Sequence, residues 1–365
     1  MTKGGAVQAL IPAKPADVTP EWLGAALTRD GSPVEVRAID TVAIGTGQTG
    51  ATYRVSVTYA DPQPDLPTSF AIKLPSQDDA VRDRVAIGYR SEHAFYTNLA
   101  EQVQIPIPPC YHCEIAGEGV DFVLLLGDMA PAVQGDQIAG CSAEEARLAV
   151  EALADLHGPT WCDPQWADFP GIAMPKPEPA SAQGFGEVAT MATGITLDRL
   201  GDRMRPEDRE TLSAAMSVVT PWLLSEPDRF AVLHGDYRLD NMLFDPDRSR
   251  ITVVDWQTLG SGLPARDLSY FTATSLQPET RAAVERDLVD AYHRRLLSHG
   301  VTGYDSETCW RDYRLGMLQA PLITVLGCAF ATSTERGDEM MLVMAARGCQ
   351  AIRELGTLDL IAPAT

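Results

Sequence analysis

The stretch HGDYRLDN, residues 234–241, is a polar segment that lies between short apolar runs, the second of which is ITVV at 251–254. Short runs rich in Val and Ile predict strands, so the polar residues fall on a loop between strands. Asp236 and Asn241 lie five residues apart on this loop, and Asp255 directly follows the second run. A hairpin partner strand would bring Asp255 beside Asn241. The loop then presents three oxygen-bearing side chains to one cavity.

This residue set suits phosphoryl transfer. That reaction needs a carboxylate to orient the attacking hydroxyl, oxygen ligands for magnesium and cations on the phosphates. A single loop aspartate is most often only a cap, and the nearby Asp245-Pro-Asp247 is predicted to be a simple turn. The spacing His-x-Asp-x4-Asn, with a further Asp after a β-run, separates this motif from an ordinary polar loop.

HGDYRLDN with the following VVDW resembles the catalytic and metal-binding motifs of the aminoglycoside-phosphotransferase and protein-kinase-like superfamily. The resemblance extends to an Ala-x-Leu-His run, Ala154 to His157, and to Gly260 with Arg266-Asp267-Leu268. It therefore covers the chain from about Ile39 to the last helices. It implies a small-molecule kinase that uses ATP or GTP with Mg²⁺ and transfers the γ-phosphate directly to a substrate hydroxyl.

The resemblance assigns roles to four residues of the motif. Asp236 would be the catalytic base, and Asn241 and Asp255 would hold Mg²⁺. Arg238 would stabilise the transferred charge, because Ser/Thr protein kinases carry a phosphate-contacting Lys at the corresponding place.

His234 and Asp267 are predicted to brace the catalytic loop rather than to take part in the chemistry. Asp240 has no assigned role, and its simplest interpretation is a solvated loop carboxylate.

A second motif, G-x-G-x-x-G, is formed by Gly45, Gly47 and Gly50. A dinucleotide-binding loop would be followed by a helix. Here the segment ATYRVSVTY follows, which has the composition of a strand and fits the hairpin that covers phosphates in kinases. An ordinary glycine hairpin is the alternative interpretation.

Lys73 lies on the apolar run Phe70-Ala-Ile-Lys73, where an ammonium group is unfavourable unless it serves a function. Phosphate coordination is such a function, since lysine acts as a point charge on phosphate oxygens. Glu92, in a helix predicted over residues 79–101, is the expected ion-pair partner. A solvated glutamate on the helix face is the alternative.

The run FVLLLGDM, residues 122–129, resembles the interlobe hinge of the superfamily. Backbone groups around Leu126, Asp128 and Met129 would meet the adenine. Gly127 stands where many relatives have an acidic residue, which leaves hinge stiffness and nucleotide preference open. After Asp255, Trp-Gln replaces the Phe-Gly of protein kinases and no protein-kinase activation segment follows, which disfavours protein substrates.

The order of predicted elements is β, β, β, α, β up to residue 128 and mostly helical beyond it. One helix is predicted from a capping box at Ser142 to Gly158, and others over 206–224, 278–299, 306–330 and 336–355. This order suits a small antiparallel sheet rather than a doubly wound one. We expect an α+β, bilobal protein-kinase-like fold. Residues 1–128 would form the nucleotide-binding lobe and 129–365 the helical catalytic and substrate-binding lobe.

The composition restricts the class of partner. The 365 residues carry a formal net charge of -21, which argues against nucleic-acid binding because phosphate contacts need clustered Lys and Arg. No signal or membrane-spanning pattern is seen, and seven scattered cysteines are typical of a reducing compartment. We therefore expect a cytoplasmic protein with no membrane partner. Cys110 and Cys113 form a lone CxxC without the second ligand pair that a zinc site needs.

The acceptor is left open by the sequence. An antibiotic, a sugar, an amino alcohol or a hydroxyacyl thioester all fit, since HGDYRLDN with DWQTLG also resembles the kinase domain fused to some acyl-CoA dehydrogenases. Trp161 and Trp166 in a proline-rich loop could cover the acceptor or simply anchor the loop. The alternative functions are a nucleotide-binding pseudokinase acting as sensor or scaffold, a metal-dependent hydrolase and a protein kinase. Oligomeric state is not indicated.

Overall fold

The computed structural model of the chain describes residues 11–29, 32–44 and 50–361. The chain divides into two compact units. The first unit contains the residues up to Leu99 together with Pro108–Ala130. The second contains Ala100–Ile107 and the residues from Pro131 onward. The proposed lobe boundary between residues 128 and 129 stays a prediction.

The first unit is built on a five-stranded antiparallel sheet with the order β1-β2-β3-β5-β4. Its strands are β1 (Val36–Ala43), β2 (Gly50–Tyr59), β3 (Ser69–Pro75), β4 (Cys110–Ala116) and β5 (Asp121–Gly127). Its helices are α1 (Pro20–Leu27) and α2 (Asp79–Ala94), and α2 continues into a π-helical turn at Phe95–Leu99.

Side chains of β3 alternate between the two faces of the sheet, and those on one face form part of the core of this unit. Phe70, Ile72 and Leu74 are fully buried and pack in one cluster with Trp22 and Leu23 of α1. Removing such side chains from water is the main favourable term in folding.

Helix α1 begins with a capped first turn. The Thr19 hydroxyl accepts a hydrogen bond from the backbone N–H of Trp22 at 3.1 Å, and Pro20 occupies the first helical position. This arrangement satisfies one of the unpaired amides at the helix start.

Strand β4 was absent from the sequence prediction. Every one of its first six residues is only half-buried, so it lacks the alternation that marks a strand with one buried face. Its two cysteines are free thiols on the edge strand, and pairing with β5 is shifted between Cys110 and His112. Among the described residues no cluster of His, Cys, Asp and Glu is arranged to hold a metal ion.

The second unit is mostly helical. Its helices are α3 (Ala143–His157), α4 (Pro179–Leu200), α5 (Pro206–Ser217), α6 (Val219–Leu223), α7 (Ala265–Ser275), α8 (Pro278–Ser298), α9 (Ser306–Gly316), α10 (Gln319–Phe330) and α11 (Glu335–Leu355). Its strands are β6 (Val133–Gln134), β7 (Ala231–Leu233), β8 (Met242–Phe244), β9 (Ile251–Val253) and β10 (Gly260–Gly262). They form two small sheets, β6-β8-β9 and β10-β7.

Two helices of this unit were missed for different reasons. Helix α4 contains Gly184, Gly186 and Gly194, residues that disfavour helix. A side chain on Gly186 would stand 2.2 Å from the Thr220 hydroxyl, so the glycine permits close packing of α4 on α6. Helix α7 is buried all round although it carries Arg266, Asp267 and several hydroxyl side chains, so its polar residues do not mark a solvent-facing side.

The helix predicted over 306–330 is divided into α9 and α10 at Met317-Leu318. The whole stretch Ser306–Phe330 is long and apolar enough to pass a test for a membrane-spanning helix. Two-thirds of its most apolar window is buried inside the protein, as expected for a core helix. Its composition is therefore weak evidence for a membrane span.

Replacing Ser142 by alanine is expected to lower the free energy of unfolding of the second unit by about 1 kcal/mol. Ser142 caps α3 through a reciprocal capping box. The Ser142 hydroxyl accepts a hydrogen bond from the Glu145 backbone amide, and the Glu145 carboxylate accepts one from the Ser142 backbone amide. Denaturant unfolding measures the change. Ser213→Ala, at an exposed position inside α5, is the control and should have an effect below about 0.5 kcal/mol. Equal effects of the two changes would contradict the capping role.

Candidate active site

The predicted hairpin between Asn241 and Asp255 is present. Strands β8 and β9 pair with Met242 opposite Val253, and the Val254 amide donates to the Asn241 carbonyl at 3.0 Å. Asn241 and Asp255 therefore lie at neighbouring ends of one antiparallel pair. The sequence prediction for this part of the loop is confirmed.

The Asp236 carboxylate accepts hydrogen bonds from three side chains. The Tyr270 hydroxyl donates to Oδ1 at 2.8 Å, and the Asn241 Nδ2 donates to Oδ2 at 3.0 Å. The Arg238 Nε lies 3.0 Å from both oxygens. The three donors thus hold the carboxylate in one orientation, and the Asp236 side chain is still 23% exposed.

Tyr270 is the residue that sequence reasoning missed. It lies fully buried on α7, and burial, followed by the neighbouring Asp236 carboxylate, raises the pKa of Tyr270 well above its ordinary value. The phenol therefore keeps its proton and acts as a donor to Asp236. The only sequence signal was its place two residues after the Arg266-Asp267-Leu268 motif.

Arg238 contacts carboxylates in this structure. It bonds to Asp236, and its Nη1 lies 2.8 Å from Asp240 Oδ2 and 3.2 Å from the Met340 sulfur. Burial alone would lower the pKa of Arg238, but the charges of Asp236 and Asp240 more than offset it and raise the value. Arg238 is therefore a permanent cation that holds Asp236 in place. Its contact with a transferred phosphate stays a prediction.

The interpretation of Asp240 as a solvated loop carboxylate was wrong. Its side chain is only 11% exposed and pairs with Arg238 and, at 3.4 Å, with Arg336 of α11. It also accepts from the Gln137 amide at 3.1 Å. Burial raises the pKa of Asp240, but the two arginines and the amide outweigh this effect and lower it. Partners about a hundred residues away in either direction could not be seen in the local sequence.

Asp267 and His234 brace the loop as predicted. The fully buried Asp267 accepts the His234 amide at 2.6 Å and the Gly235 amide at 3.1 Å. The His234 Nδ1 accepts from the Asp236 amide at 3.3 Å, while Nε2 faces the Val254 carbonyl at 3.1 Å. This pattern requires a neutral imidazole with its proton on Nε2. The hydrogen bond from the Asp236 backbone amide to His234 thus helps to fix the position of Asp236.

His157, the last residue of the Ala-x-Leu-His run, supports the same carboxylate. Its Nε2 lies 3.5 Å from Asp267 Oδ2, and its Nδ1 lies 2.8 Å from the Tyr292 hydroxyl. All three side chains are buried. The run therefore belongs to the scaffold behind the loop.

Asp255 adopts a left-handed backbone conformation with φ +69°. This region costs a non-glycine residue about 1 kcal/mol and is often retained where function requires it. Because the Asn241 Nδ2 is directed at Asp236, its Oδ1 remains as the atom for a cation. An amide oxygen and a carboxylate are ligands that Mg²⁺ prefers, so this donor set fits the ion. The ligand roles stay a prediction.

The predicted ion pair of the first unit is confirmed. Lys73 Nζ lies 2.7 Å from Glu92 Oε2, and the two side chains are 14% and 2% exposed. Lys73 projects from β3 between the buried residues Ile72 and Leu74, and Glu92 projects from α2. A buried ion pair is weak evidence for stability, because desolvation offsets much of the attraction. The ion pair is better explained by a need to hold the Lys73 ammonium group in one position.

Asp128 is held by its neighbours in the sheet. Its carboxylate accepts from Arg54 Nε and from the Ser69 hydroxyl, both at 2.6 Å. Burial raises the pKa of Asp128, but these hydrogen bonds outweigh it and lower the value. The side chain is thus committed within the first unit, which leaves its backbone as the part available to a nucleotide.

The structure describes only some of the other predicted nucleotide contacts. Leu126 is half-buried on β5, opposite Ala71 of β3, and Met129 follows that strand. Gly50 begins β2, opposite Pro75. Gly45 and Gly47 lie outside the described residues, so the phosphate-covering loop stays a prediction.

The two tryptophans of the proline-rich loop are packed. Trp166 is 5% exposed and meets Phe169 edge to face, and the Trp161 ring lies 4.7 Å from that of Tyr304. Both contacts support the interpretation of loop anchors.

Comparison with known proteins places this geometry in a family. Residues 40–307 match the model of the phosphotransferase enzyme family (APH). The structure of a microcompartment-associated aminopropanol kinase has the same fold, with a TM-score of 0.52 at 17% identity over 88% of this chain and 94% of that one. The predicted α+β, kinase-like fold is thus confirmed.

Curated relatives match over shorter stretches. Acyl-CoA dehydrogenase family member 11 of Gallus gallus is 25% identical over 178 residues, which are 46% of this chain and 20% of that protein. The Homo sapiens protein of the same name is 38% identical over 71 residues, 18% of this chain and 9% of that protein. The chain therefore spans a fifth or less of the curated relatives that it matches.

Gly235→Ala is expected to destabilise the second unit by roughly 3 kcal/mol or more. Gly235 has φ +81°, and an added Cβ would stand 2.2 Å from the Thr258 carbonyl oxygen. Gly303→Ala is the matched control, since its φ is +70° and no atom lies within 4 Å of the added carbon. The control should cost only about 1 kcal/mol in denaturant unfolding. Equal losses would show that close approach at Gly235 does not matter.

Proposed function

This chain belongs to the phosphotransferase enzyme family, and we propose that it transfers the γ-phosphoryl group of ATP or GTP to a hydroxyl of a small molecule. The observation that carries the proposal is the Asp236 carboxylate, held in one orientation by Tyr270, Arg238 and Asn241. A carboxylate that is fixed in this way and still partly exposed can orient a hydroxyl group.

Asp236 acts as the base in this proposal. The acceptor hydroxyl donates its hydrogen bond to Asp236, which directs the oxygen lone pair at the γ-phosphorus. A bond forms between the acceptor oxygen and this phosphorus, and the bond from the phosphorus to the β–γ bridging oxygen breaks. The hydroxyl proton passes to Asp236 and then to solvent. No covalent enzyme intermediate is required.

The remaining predicted residues place the nucleotide. Asn241 and Asp255 would hold Mg²⁺, which neutralises charge on the phosphate oxygens when bound. Lys73 would contact the phosphates as a point charge, with Glu92 fixing its position. Backbone groups near Leu126 and Met129 would meet the base, and the loop over residues 45–50 would cover the phosphates.

The acceptor is proposed only as a class. Names among the relatives and neighbours point to acyl-CoA metabolism and to an amino alcohol, so hydroxyacyl-CoA esters and amino alcohols belong in a substrate panel beside aminoglycosides, other antibiotics and sugars. Trp256-Gln257 after Asp255, where protein kinases have Phe-Gly, favours small molecules over proteins. Cytoplasmic localisation and the lack of nucleic-acid and membrane partners stay predictions from composition.

Asp236→Asn is expected to reduce phosphate transfer by a factor of roughly 10² to 10⁴, because the amide cannot accept the hydroxyl proton. The assay measures Mg-dependent nucleotide consumption and the mass gain of one phosphate across the panel. ATP affinity should change little, since the residue is assigned to the acceptor.

The same assay separates the alternatives. Mg-ATP binding without transfer to any compound would favour the nucleotide-binding pseudokinase. No binding of ATP or GTP would contradict the proposed function altogether.

Tyr270→Phe is expected to lower kcat about tenfold, because Asp236 loses one of the three side chains that fix its orientation. KM for the nucleotide should stay unchanged, since Tyr270 contacts the proposed base. Steady-state rates at varied acceptor and nucleotide concentrations give both values.

Tyr313→Phe is the matched control. Tyr313 is equally buried in the same unit, and its hydroxyl donates to Glu285 at 2.9 Å instead of to the catalytic loop. It should lower stability while leaving kcat unchanged. A kcat of Tyr270→Phe equal to that of the wild type would show that the hydroxyl does not position the base.

A further inference from the structure

Arg266 is a buried cation without a carboxylate partner in the part of the chain that the structure describes. Its side chain lies at the start of α7, and the residue is 6% exposed. The only hydrogen bond of its side chain among the described residues runs from Nη2 to the Leu223 carbonyl at 3.1 Å, and the side-chain Nε has no partner there. Arginine is rarely buried unless it is paired. The arrangement therefore requires an explanation.

The surroundings of Arg266 compensate its charge only in part. The Trp222 ring lies 4.4 Å below the guanidinium carbon, a favourable cation–π contact. The first turn of a helix, however, carries partial positive charge and repels a cation. Burial lowers the pKa of Arg266 to about 10, although the charge of the neighbouring Asp267 opposes this shift, so the group is still charged near neutral pH. Additional negative charge at this place would be stabilised.

A small hollow that opens to solvent lies beside Arg266 in the second unit. We call it the cationic hollow. Its charged lining residues are Lys176, Glu226, Arg229 and Arg266. This lining has a net positive charge, in a chain whose formal charge is -21.

Two of these charges are already used. Arg229 forms two hydrogen bonds of 2.7 Å with Asp312, and Glu226 pairs with Arg229 at 2.7 Å and with Arg311. The ammonium of Lys176 lies 4.8 Å from the centre of the Phe230 ring, with no carboxylate bound to it among the described residues. Lys176 and Arg266 are thus the cations that remain for a ligand.

Gly262 leaves space next to the guanidinium. A Cβ at this position would stand 3.2 Å from Arg266 Nη1, and Gly262 itself lines the hollow. Any larger residue would restrict approach to the guanidinium from this side.

We propose that the cationic hollow binds an oxyanion, the carboxylate or phosphate group of a small molecule. Lys176 supplies a mobile point charge at the partly exposed wall, and Arg266 supplies fixed N–H donors at the inner wall. Strand β7 leads from Phe230 at the hollow to His234 at the catalytic loop, a rise of roughly 13 Å. The oxyanion site is therefore separate from Asp236, and the proposal does not depend on the proposed reaction.

Calorimetric titration of the full chain with inorganic phosphate, and in parallel with acetate, tests this proposal. Saturating Mg-ATP is present in both titrations, so that phosphate binding by the nucleotide residues does not contribute. We expect one site for at least one of the two anions. Lys176→Gln should weaken that binding roughly tenfold, the loss expected for one hydrogen bond to a charged group. Tighter binding of phosphate or of acetate identifies the preferred group.

Two further variants make the result specific. Gly262→Ala keeps every charge but narrows the approach to Arg266, and it should weaken anion binding by a similar factor. Lys14→Gln removes an exposed lysine of the first unit and should leave binding unchanged. Unaltered melting temperatures show that the variants are folded. Absence of binding of either anion to the wild type, or equal affinity in the wild type and both hollow variants, would overturn the proposal.

Discussion

The buried carboxylate of Asp267 organises the second unit around two backbone amides. The N–H groups of His234 and Gly235 cannot pair with a strand, because the chain turns there with a positive φ at Gly235. Buried amides left without acceptors would cost about 1–3 kcal/mol each. Asp267 satisfies both of them from α7, and the same helix carries Tyr270 to the Asp236 carboxylate. One helix thus fixes both the backbone of the loop and its reactive side chain.

Several features of this region reduce stability, and they gather where the chemistry is proposed. Asp255 adopts a backbone conformation that disfavours any side chain, Gly235 admits none, and the catalytic loop contains the half-buried cation Arg238 between two carboxylates. Such strain and partly buried charge persist only when surrounding contacts enforce them.

The Lys73–Glu92 pair shows the same principle in the first unit. An ammonium on an apolar strand is unfavourable by itself, and a glutamate on the neighbouring helix makes it tolerable while leaving the cation in one position. Here the sequence was sufficient to predict the contact, because one lysine interrupts an otherwise apolar strand and the charge requires a partner. Arg266 violates the same rule, and its anion is proposed to come from outside the chain.

Local sequence determined the strands β1 to β3, the cap of α1, the β8–β9 hairpin and the motif that holds Asp236, Asn241 and Asp255, because each depends on residues close together in the chain. Tertiary structure decided what the local pattern could not contain. Helix α4 forms despite its glycines because they allow close packing, and α7 is buried on every face although polar residues such as Asp267 and Thr272 lie along it. Tyr270 and Arg336 reach the catalytic loop from 34 and 96 residues away. A hydrogen bond depends on distance in space, which a sequence read without its fold does not give.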